Sequence, residues 1–298
     1  MRAPAIHACV PIVLLTGALG AAEPAVKARA GSPPAAPVTA PAGPSSEEVV
    51  VARLLDRHRA DRQRGEQRIE DALRSDGTTE LQHEWHHQTG KVGALPALVF
   101  DPRLNHAARA LLTAGTKPTP GQPTAIGDAL AAVGYPASGT GEVLALLASD
   151  APTLDAAYVQ ACTQVVGSIT NTNKAGTHPV FAGMGLHRAI FRTVGAAVGG
   201  SAGHWSLVLI LAPSSATKLA GGTIYADRNH NGRYDLGEGV AGAVVTVGAT
   251  TLTTGAGGAW WATPAATDTT ARCTTDDASA DLPLGGDGGA AIDPVIAD

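Results

Sequence analysis

The sequence predicts an α+β protein: a helix-rich segment that closes on a strand pair, then a smaller all-β unit. Three observations carry this. Apolar residues recur at helical spacing in successive stretches between Ser45 and Ile169. From Phe191 the pattern changes, and "RTVGAAVGG" and "HWSLVLILA" read as two strands about a Gly-rich turn. After Leu219, "GGTIYADRNHNGRYDLGEGVAGAVVTVGATTLTTGAGGAWWAT" reads as strand, loop, strand, turn, strand, with "TIYA" expected in register with "AVVTV". Helices followed by strands are the signature of segregated α+β layers.

Bulk properties set limits on this reading. The 298 residues suggest one or two domains, and 44% hydrophobic content is enough for a packed core. Aromatic residues make up only 4%, so that core is built from small and aliphatic side chains. A net charge of −5 gives no electrostatic basis for binding nucleic acid or for attachment through a basic surface.

Arg2 precedes the apolar run "ACVPIVLLTGALGAA", which Pro11 and Gly17 interrupt and which is too short to span a bilayer well. Gly20, Ala21 and Ala22 follow as a cleavage site, so residues 1–22 read as a secretory signal peptide. The mature chain then has no transmembrane segment, and the expected location is secreted, extracellular or periplasmic. Residues 23–44 are rich in Pro and Ala and form a spacer. Cys162 and Cys273, the cysteines beyond the leader, fall in different expected domains, and a disulfide between them is not favoured.

The helical elements follow in order. Ser45 and Glu48 form a capping box for "EEVVVARLLDRHRADRQ", whose apolar stripe is Val50, Val51, Leu54 and Leu55 with charge elsewhere. A second charged helix, "EQRIEDALRSD", ends at Asp76–Gly77. "TTELQHEWHHQTG" is a short helix stopped by Gly90. In "ALPALVFDPRLNHAARALLTAG", Leu104, Ala107, Ala108 and Leu111 mark a helix that Gly115 terminates. "PTAIGDALAAVGYPASGTGEVLALLA" gives a helix, a turn, and a further helix starting near Glu142; "TLDAAYVQACTQVVGSI" is also helical.

His83, Glu84 and His87 spell H-E-x-x-H, in which two imidazoles on one helix face hold zinc and the Glu activates water. The context argues against a protease. No sheet precedes the segment, and Gly93 stands where one zinc-protease branch needs a third His. Zinc is therefore not expected as a resident cofactor, and a zinc metalloprotease is kept as the alternative function.

The set "LLDRHRADRQ", "ALVFDPRLNHAARAL", "ALAAVGY" with "GTGEVLAL", and "GLHRAIFRTVGAAVGG" with "GHWSLVLILA" resembles, in this order, bacterial members of the CAP superfamily of secreted proteins. The resemblance covers most of residues 47–212 and implies an α-β-α sandwich with an open cleft lined by two His and acidic residues. Glu142 matches the family's cleft Glu, with Val143 where the family has Asn, and His187 matches a cleft His, with Arg188 beside it. The other cleft His has no counterpart, and Asp56 stands where Asn is frequent. One His and one Glu do not make a divalent site unless His106 or His178 turns in. Glu142 and His187 are the candidate cleft residues, with a helix cap and a core histidine as the plain alternatives.

The sharpest chemical signal is D-x-N-x-N-G-x-x-D-x-x-E. Asp227, Asn229, Asn231, Asp235 and Glu238 take positions 1, 3, 5, 9 and 12 of a calcium loop, Gly232 takes position 6, and Arg233 offers its carbonyl at position 7. The flanks read as strands, not helices. Over residues 221–263 the stretch resembles the B-type repeats of bacterial surface adhesins, which implies a small β-sandwich that holds calcium. "ATDTTARCTTDDASADLPLGGDGGAAIDPVIAD" is weak in β-formers, and partial disorder is expected there.

The sequence thus leads to a secreted chain with a CAP-like domain at 45–213 and a calcium-stabilised β-module at 219–298. The expected function is non-catalytic binding of a ligand or a cell-envelope component. A hydrolase using Glu142 and His187, or the zinc motif, is the alternative.

Overall fold

The computed structural model describes residues 43–75, 95, 97–115, 123–135, 143–162, 190–214, 216, 218–276, 278–284, 290–292 and 295–296. Helix α1 (Ser46–Ala60) starts at the capping box: Glu48 N donates to Ser45 Oγ at 3.3 Å, and Ser45 N donates to Glu48 Oε2 at 2.8 Å. Helix α2 (Arg62–Ser75) follows. Helix α3 (Pro102–Thr113) is capped by Asp101, whose Oδ1 accepts from Arg103 N at 2.9 Å, and Pro102 opens its first turn. Gly115, at φ +61°, ends that segment as expected. Helix α4 is Pro123–Ala132, and α5 spans 154–162.

One sheet joins β1 (Val99–Phe100), β2 (Leu144–Ala151), β3 (Phe191–Ser201) and β4 (His204–Pro213) in the order β1-β3-β4-β2. Strand β1 is parallel to β3, and the other neighbours are antiparallel. Strand β2 corrects the helix expected to start near Glu142. Its run of Leu and Ala suits a helix by propensity, but the strand is covered on both faces, so no alternation betrays it. Leu144, Leu146 and Ala148 join Ala196, Leu207, Leu209, α1, α2 and α5 in one core. Ala145, Ala197, Val208 and Ile210 join α3 and α4 in another. Helices therefore cover both faces of this sheet. Gly195 lets α3 lie flush on β3, since a Cβ there would collide with the backbone of Leu104 and Asn105.

The C-terminal strands are β5 (Ala220–Thr223), β6 (Tyr225–Ala226), β7 (Val244–Val247), β8 (Thr250–Thr253), β9 (Ala259–Ala262), β10 (Thr270–Thr274), β11 (Ser279–Pro283), β12 (Ala290–Ile292) and β13 (Val295–Ile296). They form the sheets β11-β10-β7-β8, β12-β5-β9 and β13-β6. "TIYA" is not paired with "AVVTV": Thr223 ends β5, which lies between β12 and β9, Tyr225 and Ala226 form β6 beside β13, and β7 lies between β10 and β8. Alternation fixes which face a residue takes but not which strand is its neighbour. Ala220, Ile224, Trp260 and Ala262 share a core with Val245, Val247, Ala271 and Cys273 of the four-stranded sheet. Among the described residues from 270 onward, β10, β11, β12 and β13 are strands. "TARCT" buries Ala271 and Cys273 and exposes its Thr and Arg side chains, an alternation stronger than its composition.

Helix α1 is buried on two sides. Val49, Val51, Ala52, Leu54 and Leu55 are in the core, but so are the charged residues Glu48, Arg53, Asp56, His58 and Arg59, and Val50 is only half-buried. Glu48, Arg53 and Asp56 are in ion pairs. Glu48 accepts from Arg109 Nε at 2.8 Å, Arg109 Nη2 at 2.6 Å and Asn105 Nδ2 at 3.1 Å. Asp56 accepts from Arg53 Nη1 and Leu98 N, both at 2.9 Å. On the other side, Arg53 Nη2 donates to Thr223 Oγ1, Gly257 N donates to Pro44 O at 3.2 Å, and Tyr225, Tyr234 and Ala259 join the α1 core. Each fully buried Val or Leu contributes about 1.5–3 kcal/mol. Through α1, the first core continues into the C-terminal strands. Cys162 and Cys273 are both buried free thiols.

Candidate calcium-binding loop

Strand β6 delivers the chain into residues 227–238, and a backbone clasp closes the loop behind it. Ala226 N donates to Glu238 O at 2.9 Å, Val240 N donates to Ile224 O at 3.0 Å, and Tyr225 bridges Gly239. Gly232 and Gly237, at φ +71° and +86°, and His230, at φ +56°, supply the left-handed turns that a compact loop needs.

The side chains named by the motif are tied into one network. Asp227 Oδ1 accepts from Asn231 N at 3.0 Å and its Oδ2 from Gly232 N at 2.7 Å. Asn229 Oδ1 accepts from Asn231 N at 3.1 Å, and Asn231 Oδ1 accepts from Arg233 N at 2.8 Å. Asp235 Oδ2 accepts from Asn229 Nδ2 at 2.8 Å and from Asn231 Nδ2 at 2.6 Å. Glu238, 4% exposed, accepts from Arg228 N at 3.1 Å and from Asp235 N at 2.8 Å. The loop thus draws positive hydrogens toward one point, Asp235 Oδ2. Each carboxylate oxygen that takes one backbone N–H keeps acceptor capacity for a second partner.

The donor set fits calcium by type: three carboxylates, two amide oxygens and a main-chain carbonyl are hard oxygens of the kind Ca²⁺ takes in sixes to eights. It does not suit zinc, which favours N and S donors in fours. Among the described residues no group of three or more His, Cys, Asp or Glu side chains is gathered to hold a metal. Asp227, Asp235 and Glu238 therefore share the loop network without converging on one another, and any cation there relies on the Asn and carbonyl donors as well.

The sequence reading missed the loop's attachment to α1. Ser46 Oγ lies 2.8 Å from Tyr234 Oη and accepts from Gly237 N at 2.8 Å, and Arg57 Nη2 donates to Tyr234 O at 3.2 Å. Tyr234 is buried and meets Tyr225 edge to face at 5.6 Å between ring centroids. Burial pushes the Tyr234 phenol above its usual pKa, and its hydrogen bond with Ser46 offsets part of this. Burial, then the Arg233 charge, pull the Arg57 guanidinium below its usual value. The signal in the sequence was Tyr234 itself, an aromatic residue inside a run of polar loop residues.

Glu142, His187, Arg188 and His178 lie outside the described residues, as do His83, Glu84 and His87. His106 is exposed on α3, and Asp56 is buried in its bonds to Arg53 and Leu98. No protein-family model matches the chain, and neither a curated protein nor a solved structure matches it.

Proposed function

We propose that the protein is an exported binding protein in which a CAP-like unit at 45–213 presents a ligand-binding cleft and a β-sandwich module at 219–298 is stabilised by calcium. The observation that carries the reading is the 227–238 loop, whose motif donors form one hydrogen-bonded network around a closed turn. The CAP-like part draws support from a four-stranded sheet with helices packed on both faces. Among the described residues no helix is long and apolar enough to cross a membrane. The ligand is a small apolar molecule or a cell-envelope component, bound without chemical turnover. Bound calcium would supply charge neutralisation and rigidity: Asp227, Asn229, Asn231, Asp235 and Glu238 would hold it, with the Arg233 carbonyl.

Titration calorimetry of the full chain with calcium tests this. Extracellular sites of this kind bind at about 10⁻⁴–10⁻³ M, so millimolar calcium is required. A hundredfold excess over Kd, about 10–100 mM calcium for sites of that affinity, stabilises a folded state by about 2.7 kcal/mol. At roughly 2–4 °C per kcal/mol, the melting temperature should rise by about 5–10 °C. Absence of binding heat, with the same melting curve in calcium and in chelator, would leave the loop as a hydrogen-bonded surface turn.

A further inference from the structure

We infer that cation binding in the 227–238 loop controls how firmly α1 is docked on the C-terminal strands, with Ser46, Tyr234 and Gly237 as the transmitting contacts; this rests on the calcium reading above.

The inference follows from where α1 touches the loop. Hydrogen bonds at Ser46 and Arg57 join it to Tyr234 and Gly237 of the loop. Tyr234 lies between Arg233, whose N–H is held by Asn231 Oδ1, and Asp235, whose N–H is held by Glu238 Oε2. Gly237 immediately precedes Glu238, and its carbonyl accepts from Arg228 Nη1 at 2.9 Å. Both docking residues are thus fixed through the side chains assigned to the cation. Ser46, Val49, Arg53 and Arg57, at helical spacing along α1, all face this side: Ser46 and Arg57 reach Tyr234, Arg53 reaches Thr223, and Val49 lies against Gly257.

Without a cation, the loop is held by hydrogen bonds alone, several of them exposed to water, and it samples more arrangements. Departures that shift residues 233–238 loosen the contacts of Tyr234 and Gly237 with Ser46. A cation that narrows the ensemble removes ordering that docking otherwise has to supply, so the two events favour each other. The coupling is reciprocal: whatever factor calcium contributes to docking, docking contributes to calcium affinity.

The test uses the full chain and calcium chloride, with magnesium chloride at equal ionic strength as the control. Hydrogen–deuterium exchange is followed in α1 and in the loop, and calcium affinity is measured by calorimetry in the unaltered protein, in Ser46→Ala and in Tyr234→Phe. Calcium should slow exchange in the first half of α1 as well as in the loop. Ser46→Ala should weaken calcium binding about fivefold, the low end of typical coupling, and should abolish the α1 response while the loop remains protected. Tyr234→Phe removes one hydroxyl from an unchanged ring and should act in the same direction if Ser46→Ala folds poorly. Calcium binding with loop protection, but with α1 exchange and the variants' affinities unchanged, overturns the coupling and leaves the calcium reading standing. Failure of the unaltered protein to bind calcium overturns both.

Discussion

Replacing Gly257 with Ala should separate α1 from the C-terminal strands with a single methyl group. A Cβ at Gly257 would stand 2.7 Å from Pro44 O, 2.7 Å from Val49 Cγ2 and 2.8 Å from Ser45 O. Ordinary contacts between such atoms begin near ~3.4 Å, so the helix start must retreat by roughly 0.7 Å. Two of the three obstacles are backbone atoms and cannot swing aside as a flexible side chain would. Gly257 is not among the left-handed glycines, so the penalty is steric rather than conformational. Overpacking of this kind costs about 1–3 kcal/mol. The same retreat stretches the 3.2 Å bond from Gly257 N to Pro44 O out of range, a loss of about 1 kcal/mol. The expected destabilisation is about 2–4 kcal/mol, which for a chain of this size lowers the melting temperature by about 5–15 °C. Scanning calorimetry with urea denaturation measures it. A loss under about 1 kcal/mol would mean that α1 does not press on this turn.

Other substitutions probe separate features. Gly127→Ala, in the exposed interior of α4 where a Cβ meets nothing within 4 Å, should stabilise the chain by about 0.5–1 kcal/mol in the same assay. Glu48→Gln keeps the side-chain length but loses the charge that Arg109 pairs with; since Arg109 is partly exposed, the expected loss is about 2 kcal/mol by urea denaturation. Glu238→Gln should remove most of the calcium-dependent rise in melting temperature, because position 12 ordinarily gives two oxygens; an undiminished rise would take Glu238 out of the site. Tyr234 has a raised pKa in the folded chain, chiefly through burial. Its stabilising contribution is therefore complete below the unfolded value of about 10 and is lost as pH rises through the folded value. Stability measured from pH 8 to pH 11.5 should fall less steeply in Tyr234→Phe than in the unaltered protein, and equal slopes would refute this.

Local chemistry was easy to read in the sequence, and tertiary choices were not. The Ser45–Glu48 box, the α3 stripe, the β3–β4 hairpin and the closed loop at Asp227 each follow from contiguous residues, and each is found. Strand β2 was missed because a strand buried on both faces has the composition of a buried helix. The partners of β5 and β7 were missed because β5, Ala-Gly-Gly-Thr and buried throughout, has no alternation to read, and the alternation of β7 does not name its neighbour. Charge misled the reading of α1. Arg53, Asp56 and Arg59 look like a solvated face until Leu98, Thr223 and Phe191, distant in sequence, each bring one of them a hydrogen bond. At the loop, the motif named the candidate donors but not Ser46 or Arg57, whose contacts depend on how α1 lies against a segment far along the chain.

The bond between Ser46 and Tyr234 joins residues 188 positions apart. At ribosomal speeds of roughly 5–20 residues per second, about 10–40 s separate the synthesis of its two ends. Through that interval α1 can shelter one side against β3 and α3, but the side bearing Val49, Arg53 and Arg57 waits for strands not yet made. Contacts of such range slow folding, since the chain entropy of closing them must be overcome before any of them stabilises the product. A chain cut at the 214–218 connector would leave that side of α1 permanently wet, with Arg53 deprived of Thr223 and Val49 of its cover. Such a fragment should be sticky and poorly soluble, and supplying the missing strands in trans should rescue it.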